Sequence, residues 1–164
     1  MIAHGITTGA LFMLAGSLQE RLHTREMARM GGLWASVPRL AAFGLLFAVA
    51  TLGLPGLGNF VGEFLILLGA YRVHHGLAML AVLGIIIAAA YALILVQRAF
   101  HGERRADVRL VDYSSRETSV MAVMALIIAW LGLYPQPVLT TAEPALDALR
   151  ISAQGHLISG LGQP

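Results

Sequence analysis

The stretch that decides the fold is LGLPGLGNFVGEFLILLGA, Leu52 to Ala70. It interrupts a long apolar segment with one proline and several glycines, and a single carboxylate, Glu63, follows the interruption. Proline lacks a backbone N–H and clashes with the preceding helical turn, whereas glycine permits conformations closed to other residues. We therefore predict a helix that breaks at Pro55 to Asn59 and then resumes.

The composition is that of a membrane protein. Of the 164 residues, 57% are hydrophobic and only 12% are charged, whereas soluble domains are about 25% charged. The sequence contains no cysteine, which excludes disulfides, thiolate metal sites and thiol catalysis. It also has no basic stretch with interleaved aromatic residues, so we expect no nucleic-acid partner.

Four apolar segments predict an all-α, polytopic transmembrane bundle, at about residues 2–18, 40–70, 77–96 and 118–134. The second is too long for one straight span, because its 31 residues would reach about 46 Å as a helix, against a hydrocarbon core of about 30 Å. It is therefore either a helical hairpin or one crossing made of two half-helices. In the tail, residues 136–164, Pro144 to Ile151 predict a short amphipathic helix at the interface.

The arginines favour the single broken crossing. The chain has 11 arginines and no lysine. Most of them lie in the linkers 19–39 and 97–117: Arg21, Arg25, Arg29, Arg39, Arg98, Arg104, Arg105, Arg109 and Arg116. If each segment crosses once, both linkers fall on one side, which the positive-inside rule makes cytoplasmic. The C-terminus is then expected outside.

Glu63 is the only acid within these four segments. A charged carboxylate at the bilayer centre costs about 2.5–3.5 kcal/mol, and broken helices commonly mark ion or substrate sites in transporters. These features favour a proton relay or an ion site. The alternative is that Glu63 reaches water at the interface or caps the second half-helix.

His4 is the second candidate, and Thr7 and Thr8 follow it on the same helical face. Histidine titrates near neutrality and can pass a proton at either ring nitrogen; alternatively, it is a helix-end residue bonded to backbone or water. We predict no cofactor and no metal, since GLGNFVG lacks the spacing of dinucleotide sites. The residues alone thus indicate an ion- or proton-handling membrane module, with a purely structural membrane subunit as the alternative.

Two stretches carry a resemblance: AHGITTGALFMLAGSLQERLHTREMARMGGL and FAVATLGLPGLGNFVGEFLILLGAY. They resemble the antiporter-like membrane subunits of respiratory complex I, which are relatives of multisubunit cation/proton antiporters. Within that family the M-type subunits of the bacterial NADH:quinone oxidoreductase are the most similar, and the resemblance covers about residues 2–135. It implies a bundle of roughly fourteen helices built from two inverted repeats, of which this chain matches the last four.

The resemblance also implies roles. Glu63 matches the family's glutamate on the second broken helix, and His4 matches its histidine in the preceding helix. Both are therefore expected to relay protons, with Glu63 releasing them toward the outer half-channel. The supporting residues would be Thr7, Thr8, Pro55, Gly56 and Asn59.

The expected location is the bacterial inner membrane, with lipid and the other membrane-arm subunits of complex I as partners. The chain would serve a proton-translocating enzyme whose driving force comes from quinone reduction elsewhere. The family's first broken helix, its buried glutamate–lysine pair and its central lysine have no counterpart here, so the resemblance implies a C-terminal fragment that is inactive alone. A subunit of a cation/proton antiporter or of a membrane-bound hydrogenase is the alternative.

Overall fold

The computed structural model describes residues 1–24, 26–27, 30–102 and 110–161, and all regular structure within them is helical. The all-α prediction is therefore confirmed. Residues Met1–Leu133 form one compact unit, and the residues from Tyr134 form a second. Several arginines used above to assign the cytoplasmic side lie outside the described residues: Arg25, Arg29, Arg104, Arg105 and Arg109.

The described part of the first unit contains six helices. They are α1 (Ile2–Leu22), α2 (Leu33–Ser36), α3 (Pro38–Thr51), α4 (Gly58–Val73), α5 (His75–Phe100) and α6 (Ser115–Leu133). The second predicted segment is divided into α3 and α4, and each of the others contains one long helix. Pro38 starts α3 at the position where a backbone N–H has no partner within a helix.

The half-helices α3 and α4 follow one another along α5. Only His74 separates α4 from α5, which turns back and packs against both half-helices. The far end of α5 reaches the chain just before α3, where the Gly32 N–H donates to the His101 carbonyl at 3.2 Å. The Trp34 ring also stacks on the His101 ring, with centroids 5.5 Å apart. A hairpin would place the end of α5 beside the end of α3, so the structure has two half-helices in series.

The core is centred on α3, which packs against α1, α5 and α6. Its buried side chains include Leu40 and Phe47, which are both fully enclosed. Gly44 allows the closest approach, since a Cβ there would lie 2.8 Å from Phe100 and 3.0 Å from Leu14. Small residues at such crossings stabilise bundles whose surroundings are as apolar as the helices themselves.

The helices α5 and α6 are both long and apolar enough to cross a bilayer, and α3 is a shorter apolar helix. The most apolar window of α5 has a mean hydropathy of 2.8, yet few of its side chains are buried. Large apolar side chains such as Leu80, Ile87 and Tyr91 are exposed instead. An apolar surface of this extent is expected to face lipid or further protein.

The loop before α6 caps α3. The Asp112 carboxylate accepts hydrogen bonds from the backbone N–H groups of Arg39, at 2.9 Å, and Leu40, at 3.1 Å. These N–H groups lie in the first turn of α3 and have no partner within the helix. A negative charge is also favourable at the positive end of a helix. A carboxylate from a distant part of the sequence therefore replaces the local cap that Val37 does not supply.

A charged contact joins the same loop to α1. The Arg21 guanidinium donates to the Glu117 carboxylate at 2.9 Å and to the Val111 carbonyl at 2.6 Å. It also lies 5.4 Å from the centroid of the Tyr113 ring, in cation–π geometry. One arginine thus holds the end of α1 against the start of α6.

We expect Arg21→Gln to lower the free energy of unfolding by about 1 kcal/mol, because it removes a charge-assisted pair and a cation–π contact. Arg72→Gln is the matched control, since Arg72 is exposed at the end of α4. Thermal unfolding of the detergent-solubilised protein measures both. Equal unfolding midpoints for the two variants would contradict a stabilising role of Arg21.

The second unit contains α7 (Gln136–Leu161). The short amphipathic helix predicted at Pro144 to Ile151 is part of this longer helix, with Pro144 in its interior. The helix starts earlier because the Pro135 carbonyl accepts the N–H groups of both Val138 and Leu139. Propagation past Pro144 then loses one backbone hydrogen bond.

Candidate functional site at the helix break

The break comprises residues 52–57, between the end of α3 and the start of α4. Gly53 and Gly56 have φ angles of 67° and 94°, in the left-handed region that favours glycine. Pro55 lies between them and is exposed. The unwound segment thus begins earlier than the predicted Pro55 to Asn59, and Asn59 belongs to the first turn of α4.

The helix α6 covers one side of the break. A side chain at Gly132 would collide with the Gly56 carbonyl oxygen and with the backbone of Leu57. A Cβ at Gly58 would lie 2.9 Å from the Cβ of Ala3 and 3.0 Å from that of Leu131. Irregular backbone at membrane depth is tolerated only where protein or water surrounds it. The sequence analysis did not identify Gly132 as part of the site. The sequence offered only one hint, a single glycine near the end of α6.

Asn59 joins three helices. Its side-chain amide donates to Thr7 Oγ1 at 3.1 Å and to the Ala50 carbonyl at 2.9 Å. The Ala50 carbonyl lies in the last turn of α3, where helical carbonyls lack a partner within the helix. The Thr7 hydroxyl in turn lies 3.2 Å from the Ala3 carbonyl and 3.0 Å from that of His4. Asn59 is 8% exposed and Thr7 is fully buried, so these hydrogen bonds are shielded from competition by solvent.

We expect Thr7→Val to lower the free energy of unfolding by about 1 kcal/mol, because the isosteric change leaves one buried Asn59 N–H without its acceptor. Thr8→Val is the matched control, since Thr8 is partly exposed and next to Thr7 in the sequence. Chemical or thermal unfolding of the solubilised protein gives the difference. A Thr7 variant as stable as the Thr8 variant would show that the bond contributes nothing.

Glu63 lies in the second turn of α4, and its side chain reaches back to the break. A Cβ at Gly53 would overlap Glu63 Oε2 and lie 2.9 Å from the carboxyl carbon. The carboxylate thus adjoins the space left free by this glycine, and Glu63 is only half-buried. Glu63 lies beyond the first turn of α4, and no side-chain hydrogen bond caps the start of that helix.

His4 lies in the first turn of α1, the helix that packs against both α4 and α6. It is exposed, and its Nε2 lies 3.4 Å from Thr8 Oγ1. His4 lies one turn before Thr7 on α1, and the Asn59 side chain that bonds to Thr7 lies one turn before Glu63 on α4, so the fold joins the two helices that carry the predicted relay residues. Of the two threonines, Thr8 adjoins the ring, whereas the Thr7 hydroxyl points to backbone carbonyls and to Asn59.

Comparisons with known proteins identify the family of the chain. Residues 1–88 match the family model described as the transmembrane part of NADH:quinone oxidoreductase and Mrp antiporters. The chain is 47% identical over 150 residues to NADH-quinone oxidoreductase subunit M of Pseudomonas aeruginosa, covering 92% of this chain and 30% of that protein. It is 43% identical over 153 residues to subunit M of Escherichia coli K12, with the same two coverages.

A solved structure points to the same family. A chain of respiratory complex I from Thermus thermophilus with bound NADH superimposes with a TM-score of 0.76 and 44% identity, over 81% of this chain and 28% of that one. The chain therefore belongs to the NADH:quinone oxidoreductase/Mrp antiporter transmembrane family. The resemblance found in the sequence is confirmed. The chain spans about 30% of the length of the curated relatives that it matches.

Proposed function

We propose that this chain forms part of the proton path of a membrane subunit of NADH:quinone oxidoreductase, with Glu63 and His4 as relay residues. The observation that carries the proposal is the position of the Glu63 carboxylate beside an unwound segment, on a helix that the bond between Asn59 and Thr7 joins to the helix of His4. Ionisable residues at membrane depth are rare and commonly mark proton relays. The relatives and the solved structure favour the oxidoreductase over the antiporters of the same family.

In this proposal Glu63 binds one proton from the inner side and releases one toward the outer half-channel, so it returns to its starting state. His4 passes protons to it through water, since each ring nitrogen can donate or accept. Thr8 lies next to the ring and orients it. At the break, backbone N–H and C=O groups that lack helical hydrogen bonds can bind the connecting water. Quinone reduction elsewhere in the enzyme supplies the energy.

We also propose four membrane crossings, with linkers 19–39 and 97–117 cytoplasmic and the C-terminus periplasmic. The contacts between the two linkers support this arrangement: Gly32 bonds to His101, and Asp112 caps α3. Linkers that contact each other lie at the same end of the bundle, and both are rich in arginine. Lipid and the other membrane-arm subunits are then the partners that cover the exposed apolar faces of α4 and α5.

We expect Glu63→Gln in the intact enzyme to lower NADH-driven proton pumping at least about tenfold, since removing a proton-transfer group commonly costs 10²–10⁴ in rate. The amide has nearly the same shape, so the enzyme still assembles. Proton uptake by inverted membrane vesicles, divided by NADH oxidised, gives the effect. Glu143→Gln is the matched control, because Glu143 is exposed on α7. An unchanged pumping ratio for Glu63→Gln would overturn the relay role.

We expect His4→Ala to lower the same ratio, and added imidazole to restore part of it, because a free imidazole can replace the missing proton carrier. His74→Ala is the control, since His74 is exposed at the junction of α4 and α5. If the His4 variant pumps like the His74 variant, His4 is not part of the relay.

A further inference from the structure

We propose that Gly53 is a positioning residue for Glu63, because its missing side chain gives the carboxylate its place at the break. This inference rests on the proposed relay function. A Cβ at Gly53 would overlap Glu63 Oε2, and it would lie 2.9 Å from the carboxyl carbon and 3.3 Å from Oε1. The three heavy atoms nearest to such a Cβ all belong to the one carboxylate.

The collision would move the carboxylate and leave the fold in place. The Glu63 carboxylate is the far end of a flexible side chain, so rotation about its side-chain bonds relieves the overlap. Gly132 differs in this respect, since a Cβ there would meet the backbone of Gly56 and Leu57, which cannot move away. Gly53 therefore acts on the position of one ionisable group, whereas Gly132 acts on the packing of the break against α6.

The position of the Glu63 carboxylate matters because the polarity of its surroundings differs between its two sides. On one side lies the break, where Gly53 and Asn59 already use the Ala50 carbonyl as acceptor and the backbone is irregular. Along α4 beyond Glu63 lie exposed apolar side chains such as Phe64 and Ile66. A carboxylate displaced by a Cβ at Gly53 would move away from the irregular backbone of the break. A displacement of about 1 Å can lower the rate of a reaction roughly hundredfold.

The simpler alternative is that Gly53 serves only the backbone, since its φ of 67° favours glycine for any function. A comparison with Gly56 distinguishes the backbone role of Gly53 from its role in positioning Glu63. It lies in the same break at φ 94°, but a Cβ there would meet nothing within 4 Å. Alanine at either position strains the backbone, and only alanine at Gly53 also displaces Glu63.

The test compares Gly53→Ala with Gly56→Ala in the intact enzyme. We expect the pumping ratio to fall roughly tenfold or more in the first variant and to fall clearly less in the second, in which only the backbone is strained. Equal losses in the two variants would overturn the positioning role. Combining Gly53→Ala with Glu63→Asp should raise pumping or assembly above that of Gly53→Ala alone, because aspartate is shorter by one methylene. Absence of any such rescue would also overturn it.

A readout independent of pumping separates this inference from the relay proposal. A hydrophobic carbodiimide modifies carboxyl groups at membrane depth, and mass spectrometry measures the rate at Glu63. We expect that rate to change at least threefold, as a rough guide, in Gly53→Ala and to be unchanged in Gly56→Ala. If Glu63→Gln pumps normally but labelling shows this pattern, the relay fails and the positioning stands. Identical labelling in wild type and both variants would overturn the positioning itself.

Discussion

The structure depends on satisfying the backbone where the helix between Pro38 and Val73 is interrupted. An unwound segment at membrane depth exposes carbonyl and N–H groups that neither lipid nor a helix can pair. Here the Ala50 carbonyl receives hydrogen bonds from the Gly53 N–H, at 3.3 Å, and from the Asn59 amide, at 2.9 Å. The Asn59 amide also bonds to Thr7 on α1. The break is therefore stable only as part of a bundle in which α1 and α6 lie against it.

The same hydrogen bonds that stabilise the break also set the geometry of the site. Thr7 and His4 lie one turn apart on α1, and Asn59 and Glu63 lie one turn apart on α4. The bond between Thr7 and Asn59 therefore fixes the spacing of the two helices at the level of the two ionisable groups. Buried polar contacts of this kind add specificity to helix pairs that apolar packing alone would leave free to slide. Structural residues and the proposed relay residues thus alternate along the same two helices.

The two ends of the bundle are held by different interactions. Where linkers 19–39 and 97–117 meet, charged groups dominate, namely the cap at Asp112 and the pair between Arg21 and Glu117. Nearer the break, glycines provide the close contacts, as at Gly58 and Gly132. This division is the one expected of a membrane bundle, since charges are favourable near water and small residues permit close packing within lipid.

The sequence by itself determined the helices, the break and the two ionisable candidates. Apolar runs and proline–glycine interruptions act within a few residues of the chain, and an acid inside an apolar segment stands out without any knowledge of its neighbours. The hydrogen bonds of Asn59, the contact of Gly53 with Glu63 and the cover that Gly132 provides were decided only by the tertiary structure. Each of these joins positions on different helices or across the break, so its existence depends on how the helices pack. The arginine distribution already favoured one broken crossing over a hairpin, and the contact between Gly32 and His101 showed that the end of α5 lies near the start of α3.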